Sequence, residues 1–363
     1  MGVFADQLVA KKRYLSEAEL VELMALCSIL PGPTSTQTIV AIGYKTGGPG
    51  LALLTMLVWA LPVLVAMTLL SFLYRGLAAR NVSTEVLRFI GPMAVGFIAL
   101  AAFRIGRKVV TDTLTALLLV GGALTTYWIR DPWIFPVVLL AGGGIALVLR
   151  REPGMWNRPQ LNPPWRYLAL FVAFALGLLA LALVSSSRVI QLAESFYRYG
   201  YLVFGGGQVM VPVMHSELVQ VRQFMTNPEF LTGYGLVQGL PGPMFSFAAY
   251  AGGMAARDAS VGQQVLGAAA GGIGIFLPGL LLIYFVYPIW EQIKAIRAIR
   301  IALAGINAVA GGLIAIAAVI LMQASGVHVA NLVVLVLSIV LLASRKVPAP
   351  FIVAAALVAG FVV

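Results

Sequence analysis

The sequence predicts an all-α polytopic membrane protein made of two homologous repeats, each with paired broken, re-entrant helix hairpins, and roughly 10–13 membrane segments in all. Three observations predict it: an apolar composition, a series of helix-length apolar runs, and a Leu-Pro-Gly-Pro motif that occurs twice. Hydrophobic residues are 61% of the 363 and charged residues 10%, and the mean hydropathy is +0.97, values beyond what a water-soluble globule can hide. Apolar runs at 49–74, 86–103, 112–129, 132–149, 167–187, 264–290, 301–322, 327–343 and 347–363 have about the length that a helix needs to cross hydrocarbon. They are continuously apolar and not alternating, which selects helices over a β-barrel.

The formal charge of +11 is assigned to loops facing an anionic membrane leaflet, because no basic block is interleaved with aromatics as nucleic-acid binding would require. A single cysteine, Cys27, rules out an internal disulfide and a multi-thiolate metal site, and two histidines, His215 and His328, make a poor zinc set. No metal and no cofactor is expected.

The stretch from Met1 to Glu22 carries Asp6, Lys11, Lys12, Arg13, Glu17 and Glu19 without the apolar core of a signal peptide. Ser16, followed three residues later by Glu19, forms a capping box for a helix too short to cross a bilayer, which stops at Pro31. Pro31 and Pro33 lack amide donors and disfavour helical geometry in the residue before each, yet proline suits the first position of a new helix. Thr34, Ser35, Thr36 and Gln37 then occupy the first turn of that helix. Free amides, polar side chains and the positive end of the helix dipole converge there, an arrangement that attracts anions without a full charge.

Leu30-Pro31-Gly32-Pro33 returns as Leu240-Pro241-Gly242-Pro243, an offset of 210 (241 minus 31). At the same offset Leu8, Val9, Glu19, Leu26, Ala41 and Gly43 meet identical residues, Lys12 meets Arg222, and Ser16 meets Thr226 as a second capping box before Glu229. At an offset of 216, Leu61-Pro62 matches Leu277-Pro278, and Gly96 to Ala102 resembles Gly312 to Ala318. The domain organisation that follows is a first repeat over 1–150, a basic proline-rich connecting loop over 151–166, and a second repeat over 167–363 with an extra leading helix. Duplicated halves with interrupted helices point to a secondary transporter whose site lies at the repeat interface. The connecting loop is expected on the cytoplasmic side, while the charges near Arg75, Arg80 and Arg88 leave the relative orientation of the halves open.

Before the second hairpin, an amphipathic run from Val189 ends at Gly205, Gly206, Gly207 and Gln208. A triple glycine lets a membrane helix unwind or approach a ligand closely, and close helix packing is the competing reading. Its counterpart at offset 210 would precede Met1, so the first repeat as given is expected to lack its opening helix.

Phe204-Gly205-Gly206-Gly207, Pro212, Glu217, the stretch from Phe224 to Glu229 and Gln238-Gly239-Leu240-Pro241-Gly242-Pro243 resemble the chromate ion transporter family, as does the weaker copy at Leu30 to Gln37. That resemblance covers nearly the whole chain. It implies a bacterial inner-membrane, multi-pass protein of two homologous halves that expels chromate, with sulfate as a related oxyanion. The family's first half normally carries its own Phe-Gly-Gly-Pro segment, which this chain does not display.

The expected function is secondary active export of an oxyanion, chromate first and another sulfate-like tetrahedral dianion next. The alternatives are a membrane-embedded enzyme acting on a lipid phosphate, and an anion channel. Against the enzyme, no nucleophile and base pair and no carboxylate cluster is visible at useful spacing. The expected anion site comprises Pro31, Gly32, Pro33, Thr34, Ser35, Thr36, Gln37, Gly205, Gly206, Gly207, Gln208, Gln238, Pro241, Gly242, Pro243 and Ser246. The first copy is expected to supply most side-chain donors, and the second mainly backbone amides between Met244, Phe245 and Phe247. Lys12, Glu19, Arg222, Glu229 and His215 are entrance or coupling candidates, weighed against capping for the two glutamates, interfacial anchoring for the two bases and a structural role for His215. The expected partners are the oxyanion, the lipid bilayer and, as an option left open, a second copy in a homodimer; nucleic acid is not one.

Overall fold

The computed structural model of the chain describes residues 5–79, 84–156, 162–202, 204 and 207–362. Two of the predicted site glycines, Gly205 and Gly206, lie outside the described residues. Every regular element among the described residues is helical.

A π-helical segment, Ala5–Lys11, leads into α1 (Glu17–Ile29), which ends at the first Pro-Gly-Pro. Helix α2 (Thr34–Ala79) is two arms, because Gly47 and Gly48 leave helical geometry, the latter at φ +70°. The arms run antiparallel: Gly43 lies against Leu51 and Ala52, and Thr55 Oγ1 reaches the Ile39 carbonyl at 3.5 Å. Pro49 opens the second arm, where its missing amide costs nothing. Then come α3 (Ile90–Val109), α4 (Thr113–Trp128) and α5 (Ile134–Leu149), the connecting segment, and α6 (Trp165–Val184).

The second half adds α7 (Arg188–Leu202), α8 (Met210–His215) running into a π-helical stretch Ser216–Val221, and α9 (Asn227–Val237), which ends before the second Pro-Gly-Pro. A short 3₁₀ turn, Met244–Ser246, opens α10 (Phe247–Ala255), and α11 (Val261–Val286), α12 (Arg297–Ser325), α13 (Val329–Ser344) and α14 (Ala349–Val362) complete the chain. Each of the nine predicted apolar runs coincides with one helix or helix arm.

Five described helices are long and apolar enough to cross a membrane, and α4, α5, α13 and α14 are shorter apolar helices. Helix α6 makes the case most directly. None of its residues is buried, although Leu170, Leu176 and Leu181 are among them. Exposed apolar side chains continue on α2 at Leu54, Val58, Val65 and Leu69, and on α13 at Val333, Val336 and Val340. A contiguous apolar surface of this extent is stable against hydrocarbon and not against water.

Two long helices organise the interior. Helix α12 packs against α3, α4 and α5, and α11 packs against α7, α10, α2 and α6. Elements from the two halves of the sequence are therefore interleaved. Small residues permit the contacts: a Cβ on Gly312 of α12 would fall 2.1 Å from the Leu119 carbonyl of α4, and one on Gly271 of α11 would fall 2.1 Å from the Ala248 carbonyl of α10. Polar ties are few. Gln264 of α11, fully buried, accepts from Arg75 at 2.8 Å and donates to Ser71 Oγ at 3.3 Å, joining α11 to α2.

Candidate functional site

The predicted capping boxes both form. Glu19 N donates to Ser16 Oγ at 3.2 Å and Ser16 N to Glu19 Oε2 at 2.7 Å, while Glu229 N donates to Thr226 Oγ1 at 3.4 Å and Thr226 N to Glu229 Oε2 at 2.7 Å. The lead-ins match as well. Arg13 and Gln223, which correspond at the offset between the two motifs, are non-glycine residues at φ 53° and 51°. Each follows a π-helical segment closed by the same pair of bonds: Lys12 N to the Gln7 carbonyl and Tyr14 N to the Leu8 carbonyl, then Arg222 N to the Glu217 carbonyl and Phe224 N to the Leu218 carbonyl.

Each capping glutamate also has a basic partner from beyond its hairpin, Lys45 for Glu19 and Arg257 for Glu229 at 3.0 Å. Hydrogen bonds from Lys45 and from the Ser16 backbone hold the Glu19 carboxyl down to about 2.

At the two breaks, Gly32 is at φ +122° and Gly242 at φ +152°, geometry that favours glycine. A new helix starts beyond each. Gln37 N donates to the Pro33 carbonyl at 2.8 Å and Ser246 N to the Pro243 carbonyl at 2.9 Å, which leaves the intervening amides without helical acceptors. Thr36 and Ser246, which correspond at the same offset, are 2% and 0% exposed, and neither hydroxyl has a protein partner.

Some of the polar side chains of the first copy are already spent. Gln37 spends its amide nitrogen on the Pro31 carbonyl at 2.7 Å, and Thr38 spends its hydroxyl on the Thr34 carbonyl at 2.7 Å. What remains unpartnered on Gln37 is Oε1, an acceptor. Each break thus carries one buried, unspent hydroxyl, and the first adds the half-buried Thr34 and Ser35 where the second has Met244 and Phe245.

Each break is seated on the long helix of the other half. A Cβ on Gly242 would fall 2.4 Å from Val63 of α2, one residue past Pro62; a Cβ on Gly279 of α11, one residue past Pro278, would fall 3.4 Å from Gln37 Nε2 and 3.7 Å from Pro33. The first break also meets the end of α7, since Gly200 O lies 3.6 Å from a Cβ built on Gly32. The first break thus lies beside Gly279, next to Pro278, and the second beside Val63, next to Pro62.

The other predicted residues are dispersed. Gly207 opens a 3₁₀ turn, Gly207–Val209, and Gln208 and Gln238 line one cavity of about 240 Å³. His215 is 3% exposed, with Nε2 2.6 Å from Asn227 Oδ1 and its ring edge-on to Phe230. Lys12 is exposed at the end of its π-helical segment. Its counterpart Arg222 is engaged, with Nε 2.9 Å from Glu217 Oε1 and Nη1 3.2 Å from Gln191 Oε1.

That last pairing belongs to a buried ion network the sequence reading missed. Arg198 of α7 is held by Glu194 at 2.7 Å and by Glu217 at 3.0 Å, and Ser195 Oγ donates to Glu217 Oε1 at 2.9 Å. Arg198, Glu194 and Glu217 are 5%, 8% and 3% exposed, and the Arg198 guanidinium lies 5.2 Å from the Trp133 ring centroid. The Glu194 and Arg198 spacing of i, i+4 was readable; the approach of Glu217 from a separate element was not. Two guanidinium groups balance two carboxylates, so the network fixes α7 to the π-helical stretch without net charge.

Helices sheathed in apolar side chains around two proline-broken turns define a multi-pass membrane protein. The chain belongs to the chromate transporter family: the family model, described as chromate transporter, matches residues 1–148 and 190–361. It is similar to a protein named probable chromate transport protein in Synechococcus elongatus, 26% identical over 368 residues, covering 100% of this chain and 90% of the relative. It is also similar to the chromate transport protein of Pseudomonas aeruginosa, 27% identical over 333 residues, covering 90% of this chain and 77% of the relative. The chromate transport protein of Cupriavidus metallidurans is 25% identical over 365 residues, covering 99% of this chain and 87% of the relative. No solved structure matches. These relatives are transport proteins and not enzymes, which removes the lipid-phosphate enzyme as a reading of the chain.

Proposed function

We propose that the protein is a secondary active transporter that exports chromate, or a sulfate-like tetrahedral dianion, across a bacterial inner membrane. The anion is bound between the helix starts that follow the two Pro-Gly-Pro breaks. The observation that carries this is the pair Thr36 and Ser246: equivalent in position, buried, and unpartnered in an interior where an unspent hydroxyl costs free energy. A tetrahedral dianion accepts from both hydroxyls and from the free amides of both first turns, and the two positive dipole ends offset its charge without a buried lysine. The recurrence of π-helical lead-in, capping box and break at one offset supports two repeats, 1–150 and 167–363, joined by 151–166. In this reading the breaks are re-entrant, and the site lies where the repeats meet.

A hydrogen bond to a charged group contributes about 1.5–3 kcal/mol, and about 1.4 kcal/mol is tenfold in affinity. Thr36→Val and Ser246→Ala are each expected to weaken saturable uptake of chromate and sulfate into everted membrane vesicles about tenfold, with protein levels in the membrane unchanged. Wild-type kinetics in both variants would overturn the site.

A further inference from the structure

The cavity shared by Gln208 and Gln238 is bounded by α3, the Gly207–Val209 turn, the end of α9 and α13, and Arg104 of α3 lines it with Tyr234. Its polar lining is one cation and three neutral side chains, and none of its described lining residues is an aspartate or glutamate. Gln238 lines the cavity beside Tyr234, with its amide nitrogen buried. Arg104 donates from Nη2 to the Leu342 carbonyl at 3.2 Å, which tethers the guanidinium and leaves most of its five N–H groups for another acceptor. Arg107 and Lys108 follow on the last turn of α3, raising the positive potential at this end. The cleft floored by Glu194, Arg198 and Glu217 differs in kind, since its guanidinium groups are already matched by carboxylates. At about 240 Å³ the Arg104 cavity has room for a hydrated tetrahedral anion, and Gln238 precedes Pro241 of the second break by three positions.

We propose that this cavity is a capture site for a tetrahedral oxyanion, held by the Arg104 guanidinium and the side-chain amides of Gln208 and Gln238 before the anion moves to the breaks. The choice of ligand rests on the oxyanion reading above. Arg104 has Ile320 in the corresponding place of the second half, so the second half offers no matching cation there.

The full chain in membrane vesicles provides the test, because Cys27 is its one cysteine and is fully buried. Ala101→Cys places a reporter thiol on the cavity wall without touching a proposed ligand, and sulfate is the probe because it does not oxidise thiols. Millimolar sulfate should slow modification of Ala101→Cys by a membrane-impermeant thiol reagent at least threefold, and chloride at equal ionic strength should not. Adding Arg104→Gln should abolish that protection, and Arg104→Lys should retain part of it. Independently, Arg104→Gln should raise the half-saturating sulfate concentration for vesicle uptake about tenfold with the maximal rate kept. Protection that survives Arg104→Gln, or saturable sulfate uptake with an unchanged half-saturation in Arg104→Gln, overturns the capture site and leaves the transport reading standing. Arg104-dependent protection in a protein whose uptake ignores Thr36→Val and Ser246→Ala would instead overturn the site at the breaks and leave the capture site standing.

Discussion

Thr36 and Ser246 differ by one methyl group and occupy the same place after a proline break, and both were visible in the sequence as polar residues near a motif. What the sequence hides is which polar groups are already spent. Gln37 reads as a ligand in a string of letters, and its amide nitrogen is already bonded to the Pro31 carbonyl. Glu19 and Glu229 were readable as caps because a capping box is a contact between near neighbours, whereas Lys45 and Arg257 reach them from the far arm of a hairpin. Glu217 belongs to the same long-range class. Its counterpart in the first half is Gln7, so the duplication gave no hint that it anchors two arginines. Breaking a buried ion pair by removing one partner costs about 3–5 kcal/mol. Glu217→Ala should accordingly lower the unfolding temperature of the detergent-solubilised protein by several degrees or prevent its accumulation, measured by a thermal shift assay alongside wild type.

At the scale of elements, the nine apolar runs were legible because hydrocarbon imposes a length and a composition on any helix that crosses it. The partners of those helices were not, since an apolar run looks alike whichever neighbour it meets. Glycine carries that information here, as close approach. Gly312 places the α12 backbone against the Leu119 carbonyl, whereas a Cβ on Gly121 of α4 would meet open space. Gly312→Leu should therefore force α12 from α4 and cost about 1–3 kcal/mol or more, and Gly121→Leu should be tolerated. The difference is measurable as the fraction of each variant that stays monodisperse after extraction and mild heating. The fold-back within α2 at Gly47 and Gly48 was half legible: Pro49 marked the start of a helix, but helical letters on both sides concealed that the chain reverses there.

For the whole molecule, composition alone specified the solvent. Helix α6 has no buried residue, and Leu176 at its middle is 60% exposed. On a water-soluble surface a leucine-to-arginine change there would be nearly neutral, whereas in hydrocarbon a central arginine costs about 2.5–3.5 kcal/mol on insertion scales. Leu176→Arg should reduce the yield of membrane-integrated protein, measured by alkaline extraction of membranes, with Arg166→Ala at the helix end as the tolerated control. Assembly of the halves was the least legible level. Two copies of a motif suggest two adjacent domains, but α3, α4 and α5 wrap a helix from the second half, and α2 packs on α9, α10 and α11.

The reciprocal seating of the breaks, Gly242 on Val63 and Gly279 on Gln37 and Pro33, couples them mechanically. Each half carries one break and the rest on which the other break leans, so the halves relate like the arms of a balance. A rigid rotation that lifts one turn from its rest displaces the other in the same stroke.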